Sequence, residues 1–128
     1  MSRKSKGINA ERDLIHKFWS IGWASVRIAG SGSMKYPSAD ILATNKLRKL
    51  AIECKTSKDP SKYLTKDEVE QLKAFAKIFG AEPWVGVKFD REEWFFLNIE
   101  DLKCTGNNFL ISVDIARNKG LLFEELIK

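Results

Sequence analysis

Two stretches of the chain repeat apolar residues at the spacing of an α-helix. The first covers residues 8–21 and is followed by Gly22, a residue type that often ends helices. The second follows Thr65 and stops at Gly80. Thr65 precedes Glu68 by three residues, which is the capping-box signature of a helix N terminus. The pattern therefore predicts one helix over 8–21 and a second between Thr65 and Gly80.

Other segments alternate polar and apolar residues, or are apolar throughout, as strands are. Strands are predicted at 23–29, 40–44, 50–56, 84–89, 94–99 and 109–113, and a short helix at 121–127. A turn at Asn45-Lys46 joins two of the strands into a hairpin, and a polar connection is expected over 57–64. No repeat, low-complexity segment or linker interrupts this order. It predicts a single α/β domain, residues 1–128, in which helices pack on a mixed sheet.

The strand predicted at 94–99 begins with Trp94-Phe95-Phe96-Leu97, which is apolar on both faces. Side chains alternate between the two faces of a strand, so both faces of this strand must be covered. Either helices cover both faces of the sheet, or one face meets a second subunit. The other large aromatic residues that fit either surface are Trp19, Phe75, Phe79 and Trp84.

Charge is distributed unevenly along the 128 residues. Residues 1–66 contain 14 Lys or Arg and 5 Asp or Glu, whereas residues 67–128 contain 8 and 12. The basic half either carries ordinary solvent-exposed lysines or forms a face that binds a polyanion, of which nucleic acid is the commonest. No apolar run approaches the roughly 20 residues that a membrane-spanning helix needs. A cytoplasmic protein that does not bind membranes is expected.

The cysteine and histidine content argues against several kinds of site. Cys54 and Cys104 are far apart, and His16 is the only histidine. A structural zinc site, a histidine-based catalytic triad and a disulfide framework are therefore not expected. Cys54 is predicted to be a buried thiol, and no role is assigned to His16.

The most informative chemistry lies in the predicted hairpin. Because side chains alternate along a strand, Glu53 and Lys55 point to one face while Ile52 and Cys54 point to the other. Asp40 opens the partner strand, so its carboxylate can approach that of Glu53 across the pair. The same residues also fit a solvent-facing hairpin on which Glu53 and Lys55 form a surface ion pair.

Two adjacent carboxylates repel each other unless a cation neutralises them. Oxygen ligands without His or Cys favour Mg²⁺ or Mn²⁺ over zinc. A divalent ion there can acidify a water molecule for attack on phosphorus, and Lys55 can offset the negative charge that develops on the phosphate. The predicted chemistry is phosphodiester hydrolysis.

An ordered series of short motifs extends over roughly residues 6–90. In sequence order these are Lys6-Gly7-x-x-Ala10-Glu11-Arg12, Val26-Arg27, Gly30-Ser31-Gly32-Ser33, Asp40-Ile41 and Ile52-Glu53-Cys54-Lys55. Each is weak alone, but their order and spacing resemble the archaeal Holliday junction resolvases of the restriction-endonuclease-like PD-(D/E)xK nuclease superfamily. The chain departs from the literal motif at Ala39, which stands where the motif name has proline.

The resemblance implies a restriction-endonuclease-like mixed β-sheet flanked by helices. It also implies a homodimer that binds four-way DNA junctions by shape and cuts two opposite strands, with Mg²⁺ as cofactor and Mn²⁺ as a substitute. The metal ligands would be Glu11, Asp40, Glu53 and the backbone carbonyl of Cys54. Lys55 would be the catalytic lysine, and Ser31 and Ser33 would be loop residues involved in strand contact or cleavage.

Basic residues around these motifs are expected to contact phosphates, which positions DNA without reading its bases. Among them, Arg27 is implied by the resemblance to lie near the phosphates at the site. The expected DNA-binding residues are Arg3, Lys4, Lys6, Arg12, Arg27, Lys46, Arg48, Lys58 and Lys62.

Two alternatives to junction resolution stay open. One is a flap, restriction or repair nuclease of the same superfamily, and the other is a non-catalytic DNA-binding paralogue. The presence of all the expected acids and the lysine argues against the second. Recombination or replication proteins are candidate further partners, and association with the chromosome is expected.

Overall fold

The computed structural model describes residues 3–30 and 35–128, with side chains from Lys6 onward. The helices are α1 (Arg3–Ser20), α2 (Lys66–Phe79), α3 (Val113–Lys119) and α4 (Phe123–Leu126). The strands are β1 (Ala24–Arg27), β2 (Ile41–Thr44), β3 (Lys49–Ser57), β4 (Ser61–Thr65), β5 (Glu82–Phe89), β6 (Trp94–Leu97), β7 (Lys103–Thr105) and β8 (Asn108–Ser112).

Five strands form the main sheet in the order β1-β2-β3-β5-β6. The pairs β1–β2, β2–β3 and β5–β6 are antiparallel, whereas β3 and β5 are parallel. A parallel pair needs a crossover connection, and here the crossover carries β4 and α2. The central strand β3 therefore has one neighbour from a hairpin and one from a crossover.

A second, three-stranded sheet has the order β4-β8-β7 and is antiparallel throughout. Its buried side chains Leu64 and Ile111 join the core on one face of the main sheet. Gly106, with φ 71°, sits in the turn between β7 and β8, where a residue with a side chain would be strained.

Both faces of the main sheet are covered, so the molecule has three layers. On one face lie α2, α3 and the second sheet, and on the other lie α1 and α4. Phe95 and Leu97 belong to the first core, while Trp94 and Phe96 belong to the second. The aromatic strand is therefore covered within the chain, which decides between the two explanations offered for its composition.

Helix α2 begins and ends where the sequence predicts. The Thr65 hydroxyl accepts a hydrogen bond from the Glu68 amide at 3.0 Å, and the Glu68 carboxylate accepts one from the Thr65 amide at 2.9 Å. Gly80 ends the helix in the left-handed conformation, with φ 79°. Val69, Leu72 and Ala76 form the buried face of the helix.

The predicted α/β class, a mixed sheet flanked by helices, is confirmed. Three local expectations need correction, the first being that no strand was expected at β7 (Lys103–Thr105). The connection over 57–64 contains most of strand β4, because its backbone pairs with β8, far away in sequence. Residues 113–119 form α3, which was not predicted, and its N-cap is Ser112, whose side chain accepts a hydrogen bond from the Ile115 amide.

None of the helices in the described ranges has the length and apolarity needed to cross a membrane.

Candidate active site

Asp40 and Glu53 meet across the β2–β3 hairpin. The register pairs Ile41 with Ile52, which sets Asp40 opposite Glu53. The Asp40 amide donates to the Ile52 carbonyl at 3.0 Å, and the Cys54 amide donates to Asp40 Oδ2 at 2.7 Å. The backbone thus fixes both the position of Asp40 and the direction of its carboxylate. Asp40 and Glu53 therefore approach each other across the hairpin, as the sequence predicts.

The environment of Glu53 disfavours its charge. Burial, followed by the nearby charge of Asp40, raises the pKa of Glu53 to about 8, although Lys55 opposes the shift. A hydrogen bond between the Glu53 and Asp40 side chains contributes in the same direction. In the protein without a cation, the pair therefore holds a proton near neutral pH. Such a pair is suited to exchange that proton for a metal ion.

Lys55 lies on the same face of β3 as Glu53. Its Nζ is 3.8 Å from Glu53 Oε2 and donates a hydrogen bond to Glu68 Oε2. Burial lowers the pKa of Lys55, but the hydrogen bond and charge of Glu68, with the charges of Glu53 and Asp40, outweigh it, and the pKa is raised. Lys55 is thus a firmly protonated ammonium with only 19% of its side chain exposed.

Glu11 reaches the same site from α1. Its Oε1 accepts a hydrogen bond from Arg27 Nε on β1 at 3.2 Å. Burial and then the charge of Asp40 raise the pKa of Glu11, and Arg27 only partly compensates. Glu11, which the sequence predicts to be part of the site, is therefore close enough to Asp40 for the two charges to interact, and Arg27 is bound to it.

A groove of about 360 Å³ opens next to these residues. Lys55, Lys6, Lys58 and Lys62 line it, together with the residues from Cys54 to Asp59. Lys6 also forms an ion pair with Asp90, at the turn after β5. Three of the expected DNA contacts, Lys6, Lys58 and Lys62, thus share one concave surface with the candidate catalytic lysine.

The donor set fits a magnesium-type ion. In residues 3–30 and 35–128, no three His, Cys, Asp or Glu side chains are close enough to form a metal site unaided. Mg²⁺, however, commonly takes one or two carboxylates and keeps water and phosphate oxygens for the rest. Asp40 and Glu53 supply that number of carboxylates, and their mutual repulsion would be relieved by the ion. The backbone carbonyl of Cys54 remains a predicted ligand.

Other predicted residues lie elsewhere. Arg48 donates two hydrogen bonds to Glu82, at 2.8 Å each, and others to the backbone carbonyls of Leu126 and Lys128. These contacts favour a role in holding the C terminus over one in DNA binding. Lys46 is in the β2–β3 turn, at the end of the hairpin away from Asp40.

The remaining predicted residues can be placed only in part. Arg12 is exposed on α1, one residue from Glu11. Ser31 and Ser33 lie outside the described residues, as do the side chains of Arg3 and Lys4. Their expected roles stay predictions.

Sequence reasoning missed Glu68 as a member of the site. The capping box accounts for a glutamate at that position without any second role. A signal for Glu68 was nevertheless present in the sequence, because the face of β3 that turns towards α2 is polar. A mostly buried lysine such as Lys55 needs an acidic partner on the element that packs against it.

A separate, apolar groove of about 260 Å³ lies over the first two strands. Residues of β1 and β2, the start of β3 and Phe79 line it. Phe79 is 47% exposed and stacks on Phe75 with ring centroids 5.3 Å apart, and Val26 on the edge strand β1 is 56% exposed. Trp19 is likewise exposed, whereas Trp84 is buried.

Comparison with known proteins gives a consistent result. The family model described as archaeal Holliday junction resolvase (Hjc) matches residues 2–128. The crossover junction endodeoxyribonuclease Hjc of Archaeoglobus fulgidus is 43% identical, with 95% of each chain covered, and that of Methanocaldococcus jannaschii is 34% identical, with 95% of this chain and 96% of that one covered. The solved structure of Archaeoglobus fulgidus Hjc, a Holliday junction resolvase, superposes with a TM-score of 0.87 at 42% identity, covering 93% of this chain and 96% of that one.

Proposed function

The chain belongs to the archaeal Holliday junction resolvase family, and from that premise we infer that it is an endodeoxyribonuclease that resolves four-way DNA junctions by cutting paired opposite strands. The observation that carries this function to the chain's own residues is the meeting of Asp40 and Glu53 beside Lys55. Two close acids and an amine at the edge of a basic groove are the parts that phosphodiester hydrolysis needs.

We propose Mg²⁺ as the cofactor, with Mn²⁺ as a substitute. Asp40 and Glu53 would hold the ion, with the Cys54 backbone carbonyl as a further ligand, and Glu11, which lies near Asp40, would act from beside the site. When bound, such an ion supplies Lewis acidity to the phosphodiester and neutralises charge in the transition state. The raised pKa of Glu53, caused by burial and by Asp40, supports this assignment because a cation would remove the cost of ionising both acids.

Basic residues of the chain would position the DNA backbone and offset the negative charge of its phosphates. Lys55 presents a permanent positive charge beside the acids, suited to offset the negative charge that grows on the phosphate. Lys58 and Lys62 line the groove that leads to it, where they would bind flanking phosphates. Contacts of this kind are independent of base sequence, as a structure-selective nuclease requires.

We also propose that two copies pair through the apolar groove that Phe79 and Val26 border. Most of the residues that line the groove are apolar, among them Leu42 and Leu50, and Phe79 presents an exposed aromatic ring at its edge. A four-way junction has approximate two-fold symmetry, so a two-fold dimer would bring one active site to each of two strands.

The acids provide the direct test of catalysis. Asp40→Asn and Glu53→Gln should each bind a synthetic immobile junction with nearly wild-type affinity in EDTA. Neither should cut the junction when Mg²⁺ is added, whereas the wild-type protein should nick opposite strands. Glu82→Gln, at a glutamate that starts β5 and pairs with Arg48 rather than with the acids of the site, is the matched control and should cut normally.

Plain duplex serves as the comparison substrate. Equal cleavage of duplex and junction by the wild-type protein would reject junction selectivity and favour another nuclease of the superfamily. Junction binding with no cutting in either metal would favour a non-catalytic DNA-binding role.

The pairing surface is tested by placing a charge in the groove. Phe79→Glu should convert a dimer to a monomer in sedimentation equilibrium, because an unpaired carboxylate would be buried at the contact. Ile78→Glu, at a neighbouring position that is 87% exposed and does not line the groove, should leave the dimer intact. A wild-type protein that sediments as a monomer at micromolar concentration would reject the proposal.

A further inference from the structure

The carboxylate of Glu68 is shared between a helix cap and the candidate catalytic lysine. Its Oε1 accepts a hydrogen bond from the Thr65 amide at 2.9 Å, while its Oε2 accepts one from Lys55 Nζ. The Glu68 amide in turn donates to the Thr65 hydroxyl at 3.0 Å. Each carboxylate oxygen thus has a different partner, and one of those partners belongs to the active site.

The helix gives this carboxylate a fixed position. Glu68 lies in the first turn of α2, and the next residue, Val69, is fully buried, as is Leu72 one turn further on. A side chain held by its own helix cap, on a helix anchored in the core, has little freedom left. The ammonium it binds is therefore held as well.

Lys55 needs such a partner because the carboxylate of Glu53 also lies close to its ammonium group. Its Nζ is 3.8 Å from Glu53 Oε2, so a flexible four-carbon side chain can also reach that carboxylate. If Lys55 closed onto Glu53, it would occupy the acid that the cation is expected to use. Glu68 holds the ammonium through a direct hydrogen bond, while Glu53 Oε2 lies 3.8 Å away, and this leaves Glu53 available.

We propose that Glu68 is a positioning residue for Lys55: it fixes the ammonium beside the acid pair and prevents it from closing onto Glu53. This inference rests on the proposed nuclease function. Glu68 touches neither DNA nor metal in this assignment, and it acts on cleavage only through Lys55.

The first test separates positioning from helix stability. Glu68→Gln keeps an oxygen that can accept from the Thr65 amide, as glutamine does in other capping boxes, but it removes the charge that holds Lys55. Single-turnover junction cleavage in Mg²⁺ should fall by about 10- to 100-fold, the range expected when a reacting group is misplaced by about 1 Å. Junction affinity in EDTA and the melting temperature should change little.

Thr65→Ala is the matched control for the cap. It removes the hydroxyl that caps the helix but keeps the backbone amide that binds Glu68. The melting temperature should therefore fall, while the single-turnover rate, measured well below that temperature, should stay within about two-fold of wild type. If Glu68 had a structural role alone, Glu68→Gln would behave like Thr65→Ala, with a lower melting temperature and an unchanged single-turnover rate.

A double-variant cycle tests whether Glu68 acts through Lys55. Lys55→Ala alone should slow cleavage by roughly 10²- to 10³-fold, the usual cost of removing one charge-stabilising donor. Adding Glu68→Gln to Lys55→Ala should cause no further loss beyond about two-fold, because its effect depends on the amine.

The outcomes separate this inference from the proposed function. A wild-type protein that cuts, with Lys55→Ala slow and Glu68→Gln as fast as wild type, would overturn the positioning role and leave the nuclease intact. Losses that multiply in the double variant would also overturn it, because Glu68 would then act independently. A wild-type protein that fails to cut would reject the proposed function itself.

Discussion

Glu53 is an acid in a place where an acid is costly. Only 16% of its side chain is exposed, and a second carboxylate faces it across the hairpin. Burial and Asp40 raise the pKa of Glu53 to about 8, well above that of the unfolded chain. The sign of the consequence is fixed: the folded state binds the proton more tightly, so stability falls as pH rises from about 4.5 to 8.

Glu53→Gln should therefore stabilise the protein when no metal is present. In EDTA the melting temperature of this variant should match wild type near pH 4 and exceed it by roughly 2–6 °C at pH 8 to 9. Adding Mg²⁺ should stabilise wild type but not the variant, since only wild type retains both acids. Differential scanning calorimetry across pH makes the comparison. A variant less stable than wild type at every pH would contradict the account of Glu53.

Glu82 offers a control of opposite sign. Its hydrogen bond with Arg48 lowers the pKa of Glu82, so this ion pair stabilises the folded state above the unfolded pKa and is lost as pH falls. Glu82→Gln should lower the melting temperature at neutral pH, with the difference shrinking towards acid pH. The two glutamine variants thus shift stability in opposite directions at pH 8.

Among the elements, those with strong local signals were predictable and those that depend on remote pairing were not. The capping box of α2 and the β2–β3 hairpin can be found from a few neighbouring residues. Strand β4 has one fully buried side chain, Leu64, and all three residues of β7 are exposed. Neither shows the alternation that marks a strand, because pairing with β8 rather than burial creates them.

The candidate site divides in the same way. Asp40, Glu53 and Lys55 follow from alternation along one hairpin, which sequence records directly. Glu68 comes from a helix that reaches the site only after the crossover folds onto the sheet, so its contact with Lys55 is a product of tertiary structure. The charge of Arg48 predicts a contact with DNA, and only the fold reveals its contacts with Glu82 and the C-terminal carbonyls.

Arg48 connects three elements that are far apart in sequence. Besides its bonds to Glu82 on β5 and to the C-terminal carbonyls, its guanidinium lies over the Trp23 ring at 5.8 Å. Arg48→Ala should lower the free energy of unfolding by roughly 1–3 kcal/mol, since it leaves several polar groups without partners. Chemical denaturation measures that loss.

Junction affinity distinguishes this role from DNA binding. Arg48→Ala should bind a junction as well as wild type at a temperature where both are folded. Lys46→Ala, in the same turn, should leave stability unchanged because Lys46 is exposed. A normal melting temperature with clearly weakened binding for Arg48→Ala would restore the original assignment.

For the molecule as a whole, four basic residues of the first half meet in one groove. Lys6, Lys58 and Lys62 come from different elements, and the fold places them around Lys55. A surface of this kind binds phosphates mainly by releasing counterions, so affinity should fall steeply as salt concentration rises.

Lys62→Ala should weaken junction binding and make it less sensitive to salt. The slope of log affinity against log salt concentration should become shallower by about 0.9, the value for one phosphate contact in duplex DNA. Lys103→Ala, on the far edge strand of the second sheet, is the control and should leave the slope unchanged. Equal slopes for wild type and Lys62→Ala in fluorescence anisotropy would remove Lys62 from the interface.

Helix α2 also connects the candidate active site with the apolar groove. Its first turn holds Lys55 through Glu68, and its last turn ends at Phe79, beside the apolar groove. At 1.5 Å per residue, the helix places Glu68 and Phe79 about 17 Å apart along its axis. If two copies pair at Phe79, helix α2 of each copy runs from the shared surface to Lys55 of the same copy. Contact between the two copies would then affect the position of Lys55 in both active sites through α2. The two sites could cut their strands together without touching each other.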